Sequence, residues 1–405
     1  MDKKVKVLYV SSSLCSEKLT EKILESKLGI PSLAAQKFHR LFAQGMALKP
    51  DLFDLKVLGV PEVHNRNSGK IIYKFETETE KGVNYSYITI VLIPFVRYLV
   101  IAFFLLSKII TWGLVNFRKE KIIVFDILNI NVSIFTVIAS RFFKVKLIAI
   151  VTDLPDMMHI HKVKLSFMDK AITGLRYYLM SLADGYVVLT EAMNEKVNKK
   201  NKPFMVMEGL ADIGMTRINE INHIDSNHKI VLYSGCLFEK SGIMTLISAF
   251  MRLPEEDCRL HIYGNGELAG AIKESAAKDS RISFFGYVDN SIIVKAQLEA
   301  TVLVNPRFSH EEYTKYSFPS KNMEYMASGV PLLTTRLPGI PKEYFNYVYI
   351  FDKETLEGYE AAMLNVLSKS KEELKDFGLK AQNFVLHNKN NKIQAERFYS
   401  HFIAT

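Results

Sequence analysis

Residues 316–331 read Tyr316-Ser317-Phe318-Pro319-Ser320-Lys321-Asn322-Met323-Glu324-Tyr325-Met326-Ala327-Ser328-Gly329-Val330-Pro331. The stretch reads as a loop, a short helix and a buried strand. Pro319 stops what precedes it, and Ser320 stands where an N-cap belongs. Met323, Met326 and Ala327 form one apolar stripe at helical spacing. Gly329 suits a helix C-terminus, and Val330 to Thr334 has the composition of a strand. The first turn of such a helix presents unpaired N–H groups and the positive end of a dipole, a seat for phosphate. Glu324, one turn in, is placed to accept two hydrogen bonds from a diol such as a ribose. The competing reading is an amphipathic helix with a surface glutamate.

The stretch resembles the donor-sugar motif of retaining glycosyltransferases of family 4, which have the GT-B fold. That motif pairs two glutamates eight residues apart, with Phe-Gly between them, before Glu-Ala-Met-Ala-x-Gly-x-Pro. Glu324-Tyr325-Met326-Ala327-Ser328-Gly329-Val330-Pro331 matches its second half. The leading glutamate falls at Tyr316, and Phe-Gly becomes Phe318-Pro319; Glu311 and Glu312 lie nearby at a different spacing. A Phe-Pro-Ser-Lys form is similar to one found among polysaccharide-assembly members of the family.

The chain has 405 residues, enough for two domains that each bury a core. Its composition, 48% hydrophobic and 23% charged, is that of a soluble globular protein. Cys15, Cys236 and Cys258 are odd in number and widely spaced, so neither a disulfide framework nor a zinc pattern follows, and a reducing compartment is expected. No signal-peptide core precedes the first strand, which points to a cytoplasmic location. A net charge of +9 suits an anionic partner. The basic residues are dispersed and never interleaved with aromatics in a patch, which argues against nucleic acid.

Val5 to Val10 followed by Ser11-Ser12-Ser13 is how a doubly wound α/β domain begins. Tyr87 to Val115 is the most hydrophobic segment, interrupted by Pro94, Arg97 and Lys108. No stretch there offers about 20 clean apolar residues, so a full membrane span is not expected. A buried helix is the favoured reading. The other is a helix lying in the interface of an anionic membrane, with Arg97, Lys108, Arg118 and Lys119 snorkelling. Ile122–Phe125, Val132–Phe143 and Lys146–Val151 form a βαβ unit ending in Thr152-Asp153. By resemblance, this strand runs into a catalytic-region His whose counterpart is Thr152 or Asp153. Asp153 can orient a hydroxyl or stabilise positive charge on a sugar ring, or it simply caps the turn Asp153-Leu154-Pro155-Asp156. His159 and His161 lack the companions of a metal site. Leu182 to Glu191 resembles the family's last acceptor-domain strand. Thr216 to Lys229, rich in Asn, Asp and Ser, reads as the border region.

Ile230 to Tyr233 opens a second α/β cycle, and Ile243, Leu246, Ile247 and Phe250 mark its helix. The family carries Gly-Arg-Leu and Lys-Gly in the intervening loop, contacting a diphosphate. Gly235 and Gly242 keep their places, while Cys236 and Ser241 replace the Arg and Lys, with Lys240 one residue early. A flexible lysine still reaches a phosphate from there. Gly264-Asn265-Gly266, with Gly270 one residue late, is a near miss to a dinucleotide fingerprint, better read as a tight strand-to-helix turn. The resemblance makes Gly286 and Tyr287 nucleobase-site candidates. Arg307 is a further phosphate candidate.

The expected fold is GT-B: two Rossmann-like domains facing across a cleft. Residues 1–215 would form the acceptor side, 216–385 the nucleotide-sugar domain, and 386–405 a C-terminal helix returning to the first domain. The resemblance implies a nucleotide-sugar donor and a glycan or polyprenyl-linked acceptor. Glu324 is assigned to the ribose, with Tyr316 standing at the first-glutamate position. The Ser320 and Lys321 amides and Lys240 are assigned to the diphosphate, and Gly235 to the loop beside it. No metal or other cofactor is implied, since helix N-termini and lysines neutralise the leaving group. Two alternatives remain: a non-catalytic partner of the same fold, and a nucleotide-sugar epimerase, which needs convergent acid and base groups.

Overall fold

The computed structural model describes residues 4–29, 32–64, 69–157, 166–214 and 228–404. The chain divides into two compact units, Met1–Leu210 with Asn391–Thr405, and Ala211–Asn390. His159, His161 and most of the expected border at 216–229 lie outside the described residues. Lys229 already belongs to a strand.

The first unit runs β1 Val5–Ser11, α1 Glu17–Glu25, α2 Leu33–Ala47, β2 Phe53–Gly59, β3 Ile72–Tyr73, β4 Glu78–Glu80, β5 Val83–Tyr87, β6 Ile90–Val91 and α3 Val96–Val115. It continues with β7 Lys121–Asp126, α4 Ile130–Phe142, β8 Lys146–Val151, α5 Phe167–Ser181, β9 Gly185–Val188, α6 Glu191–Val197 and β10 Phe204–Val206. The sheet order is β10-β9-β8-β7-β1-β2-β5-β4, parallel throughout except for β4 against β5. The near-continuous apolar runs of β1, β7 and β8 follow from burial on both faces. The chain moves one way from β1 to β2 and the other way through β7, β8 and β9. Right-handed crossovers therefore put α2 on one face and α4 and α5 on the other. The C-terminal helix Asn391–Phe402 packs on the α2 face. There Phe42 and Phe398 meet edge to face at 5.3 Å, within a core that includes Val7, Tyr9, Val124 and Ile150.

The second unit contains β11 Lys229–Ser234, α7 Ile243–Met251, β12 Cys258–Tyr263, α8 Ala269–Lys278, β13 Ile282–Gly286 and α9 Asn290–Glu299. It ends with β14 Val302–Asn305, α10 Ser320–Ser328, β15 Leu332–Thr334, β16 Tyr349–Ile350, α11 Leu356–Leu367 and α12 Lys371–Asn388. Six parallel strands lie in the order β13-β12-β11-β14-β15-β16. Counted within the unit this is 3-2-1-4-5-6, the doubly wound dinucleotide-fold order. It has one topological switch point, between β11 and β14. Both units are Rossmann-like, and the fold class is GT-B.

The structure alters two local readings. Ser320 is the first helical residue of α10. Pro319 occupies the cap and supplies no side-chain hydrogen bond, because its ring carries no polar group. The apolar segment forms α3, a single 20-residue helix long and apolar enough to cross a membrane by length and composition. Arg97 and Lys108 do not interrupt it. Nor is it a buried helix, since only 28% of its most apolar window is covered. Ile101, Leu105, Ile109, Trp112 and Gly113 form its one buried stripe, with Gly113 close against the Phe143 ring.

Phe398 is fully buried in the first unit. Phe398→Ala is expected to destabilise that unit by about 3–5 kcal/mol, read as a shift in its urea unfolding transition.

Candidate functional site

In open parallel sheets, ligands bind outside the carboxyl ends of the strands at the switch point. In the second unit those ends are Ser234-Gly235 after β11 and Asn305-Pro306-Arg307 after β14. The loop from β14 passes through a 3₁₀ turn, Glu312–Lys315, and enters α10. The position of α10 is fixed by buried hydrogen bonds. Tyr325 Oη accepts from the Ser234 amide at 2.9 Å, lies 3.0 Å from the Ser234 carbonyl that it donates to, and contacts Ser234 Oγ at 2.9 Å. Gln297 Nε2 donates to Ser234 Oγ at 3.2 Å. On the β14 side, Asn305 Nδ2 donates to Asn322 Oδ1 at 2.6 Å, and Thr334 Oγ1 donates to the Asn305 carbonyl at 3.1 Å. Burial pushes the Tyr325 phenol up to about 12, so the group stays neutral and able to donate.

Two glycines allow close backbone approach at this edge. A Cβ on Gly242 (φ +71°) would lie 1.9 Å from the Pro306 carbonyl oxygen. A Cβ on Gly264 (φ +137°) would lie 1.9 Å from that of Gly235. The Gly235 amide donates to Tyr263 O at 3.1 Å, and the Gly264 amide to Gly286 O at 2.8 Å. Gly235, Gly264 and Gly286 thus follow one another along the carboxyl edge of β11, β12 and β13. The near-miss fingerprint is the strand-to-helix turn, entering α8.

The donor-side residues picked out in the sequence all lie on this unit's strand-end loops or on α10. Lys240, in the 3₁₀ turn Glu239–Ser241, pairs with Glu311 of the loop after β14 at 3.4 Å. Lys321 pairs with Glu324 one turn along α10 at 3.0 Å, and both are partly buried. Ser320 is exposed at the helix start. Tyr316 closes the 3₁₀ turn, its amide donating to Tyr313 O at 3.0 Å. Tyr287 is exposed beyond β13, two strands away from the switch point. Arg307 follows Pro306 directly, and its charge reaches the phenols of Tyr233, Tyr313 and Tyr325. Motif reading did not assign Asn305, Asn322 and Tyr325. Their signal was polar atoms at the end of a buried strand and on the apolar side of a helix.

Asp153 belongs to the first unit, just beyond β8. Its side chain reaches solvent, yet the surrounding protein desolvates the carboxyl enough to push it up to about 6. Neighbouring strand ends carry further acidic groups. Asp126, fully buried, accepts from the amides of Ser12 and Leu128 at 3.0 Å each and straps β7 to the turn after β1. Burial, reinforced by Asp126, pushes the Glu62 carboxyl up to about 7. Among the described residues, no group of three His, Cys, Asp or Glu is placed to hold a metal.

Residues 215–384 match the family profile described as glycosyl transferases group 1, a range that falls wholly within the second unit. No curated protein sequence matches the chain. Sucrose-phosphate synthase from Thermosynechococcus elongatus shares the fold at 13% identity and a TM-score of 0.64, covering 99% of this chain and 100% of that one. HepE from Anabaena, solved with UDP, aligns at 13% identity and TM-score 0.63, over 99% and 100% of the two chains. A Listeria monocytogenes protein described as a UDP-N-acetylglucosamine 2-epimerase aligns at 12% identity and TM-score 0.55, over 99% and 98%.

Tyr325→Phe removes the phenolic bonds and leaves the buried Ser234 amide without its partner. The expected cost is about 1–3 kcal/mol, measured by urea unfolding of the second unit.

Proposed function

We propose that the protein is a retaining glycosyltransferase of family 4. It would transfer a hexose from a nucleotide-diphosphate sugar to a glycan or lipid-linked glycan acceptor during bacterial envelope-polysaccharide assembly. The observation that carries this reading is the second unit's switch point. A glycine-edged loop, the start of α10 and the cations Lys240, Lys321 and Arg307 lie on its strand-end elements, inside the region that matches the family profile. Amides at a helix start and flexible ammonium groups suit a diphosphate leaving group without a metal. Glu324 would receive the ribose hydroxyls, exchanging its pairing with Lys321 for them. Asp153, on the acceptor-side unit, would stabilise positive charge on the sugar ring. The reading places the protein in the cytoplasm.

Calorimetric titration with UDP, GDP, ADP and nicotinamide dinucleotides tests the donor assignment. One nucleoside diphosphate should bind selectively, and Glu324→Ala should weaken it about tenfold or more. Silence from every nucleoside diphosphate favours the non-catalytic partner. Binding accompanied by sugar epimerisation without transfer favours the epimerase, whose fold is shared.

The role of Asp153 has its own signature. With the carboxyl pushed up to about 6, the ionised form dominates above that pH and is lost below it. Transfer should therefore fall toward acid with an inflection near pH 6, and Asp153→Asn should lower kcat about 100-fold or more. A flat profile, or a fully active Asn variant, would remove Asp153 from the mechanism.

A further inference from the structure

The first unit carries an apolar surface that its own fold leaves uncovered. The buried stripe of α3 packs on α4, and α4 in turn packs on α5, so the three helices form one layer over the sheet. The outer side of that layer is apolar. Leu99 and Phe103 of α3 are 71% and 68% exposed, Phe142 of α4 is 80% and Phe167 of α5 is 88% exposed. A phenylalanine presents roughly 150–250 Å² when free. Each of the three phenylalanines therefore leaves roughly 100 Å² or more of apolar surface facing water. The apolar residues of α3 are not a single stripe on a polar helix. They continue around the face opposite the core, where a water-facing helix would carry charge.

The charge around this layer is one-sided. Between Ile88 and Ile150 the acidic residues are Glu120 and Asp126, and Asp126 is fully buried. Over the same span the exposed cations Lys108, Arg118, Lys119 and Lys144 lie on or beside the helices, with Glu120 the one exposed carboxylate. On α5 the exposed Lys170 follows Asp169, whose carboxylate is taken up in a capping box with Ser166. The entrance to α3 is shaped to present an aromatic ring. Pro94-Phe95-Val96 is a γ-turn, with the Val96 amide donating to Pro94 O at 2.8 Å and Phe95 at φ +62°, ψ −49°. This is the rare, strained form of that turn. It leaves Phe95 82% exposed at the head of the helix.

We infer that the α3–α4–α5 layer docks on the surface of an anionic lipid bilayer, with α3 lying in the interface. Large apolar side chains beside lysine and arginine, with almost no exposed carboxylate, are what an interfacial helix on anionic lipid requires. A span is ruled out by connectivity. The helix is about 30 Å long, long enough to cross a bilayer. However, it is preceded by β6 and, just before that, β5, and it leads into β7; β5 and β7 belong to one sheet through β2 and β1. A crossing helix would put those strands on opposite sides of the membrane. Its stripe from Ile101 to Trp112 is also already occupied by protein. The inference rests on the first unit alone and does not depend on the donor assignment.

The test is flotation of the full chain with vesicles of phosphatidylcholine alone and of phosphatidylcholine with phosphatidylglycerol. The protein should float with the anionic vesicles, weakly with neutral ones, and less as salt is raised. Leu99→Asp combined with Phe103→Asp should reduce binding at least tenfold. A second variant, Lys108→Glu with Lys119→Glu, leaves the apolar face untouched and should lose the preference for anionic vesicles. Both should keep the wild-type thermal transition and nucleotide titration, so failure of docking is distinguishable from failure of the donor reading. No flotation with either vesicle, or flotation undiminished in both variants, overturns the inference. So does a concentration-dependent dimer that the Leu99/Phe103 variant dissolves, which would assign the face to a second copy of the chain.

Discussion

The hydroxyl of Tyr325 holds the second unit's site in place. It lies on the buried side of α10, four residues before Gly329, the glycine that ends the helix, and it takes both the amide and the carbonyl of Ser234. Those backbone groups are the last of β11, where the ladder stops and a buried polar atom must find another partner. Asn322, one turn earlier, does the same work for β14 through Asn305. The start of α10 is therefore held against two adjacent strands by bonds that sliding or tilting the helix would leave unmade. Rigid support of this kind is what a binding site requires, since an error of about 1 Å in placement is costly.

The charges at the site are held differently. Lys240 with Glu311 is an ion pair open to solvent, of a type typically worth about 0–1 kcal/mol, and Lys321 with Glu324 is a partly buried pair at the start of α10. Such pairs hold a side chain in reach without committing it, and a phosphate or diol can replace the partner at small cost. Buried hydrogen bonds fix the frame, and weak surface pairs keep the contacts exchangeable. The glycines set the spacing between the two, because Gly242 and Gly264 bring neighbouring loops closer than any Cβ permits.

In the first unit, α3 separates hydrophobicity from burial. Its composition resembles that of a core helix, but a helix in a single layer over a sheet has only one side to bury. Packing within the first unit buries Ile101, Leu105, Ile109 and Trp112 and leaves Leu99, Phe103 and Leu114 outward. Hydropathy counts both sets alike. Only the arrangement of neighbouring helices tells them apart.

The alternation of apolar strands with helices of 3.6-residue period determined the α/β class and the position of most strands in both halves. β1, β8 and β11 fall within a residue or two of their apolar runs, because strands buried on both faces carry that signal without interruption. The α10 helix and its Gly329 terminus were likewise legible, since a positive φ at a helix end is chemistry local to one residue. Ser320 was misplaced as a cap because Pro and Ser both suit a helix start and only the backbone angles separate them. The strand order, and with it the switch point, was decided by tertiary structure. So were the partners of Tyr325 and Asn322, which lie 91 and 17 residues away in the chain. Periodicity records which face of an element is buried, whereas a hydrogen bond to the end of a distant strand leaves no periodic trace.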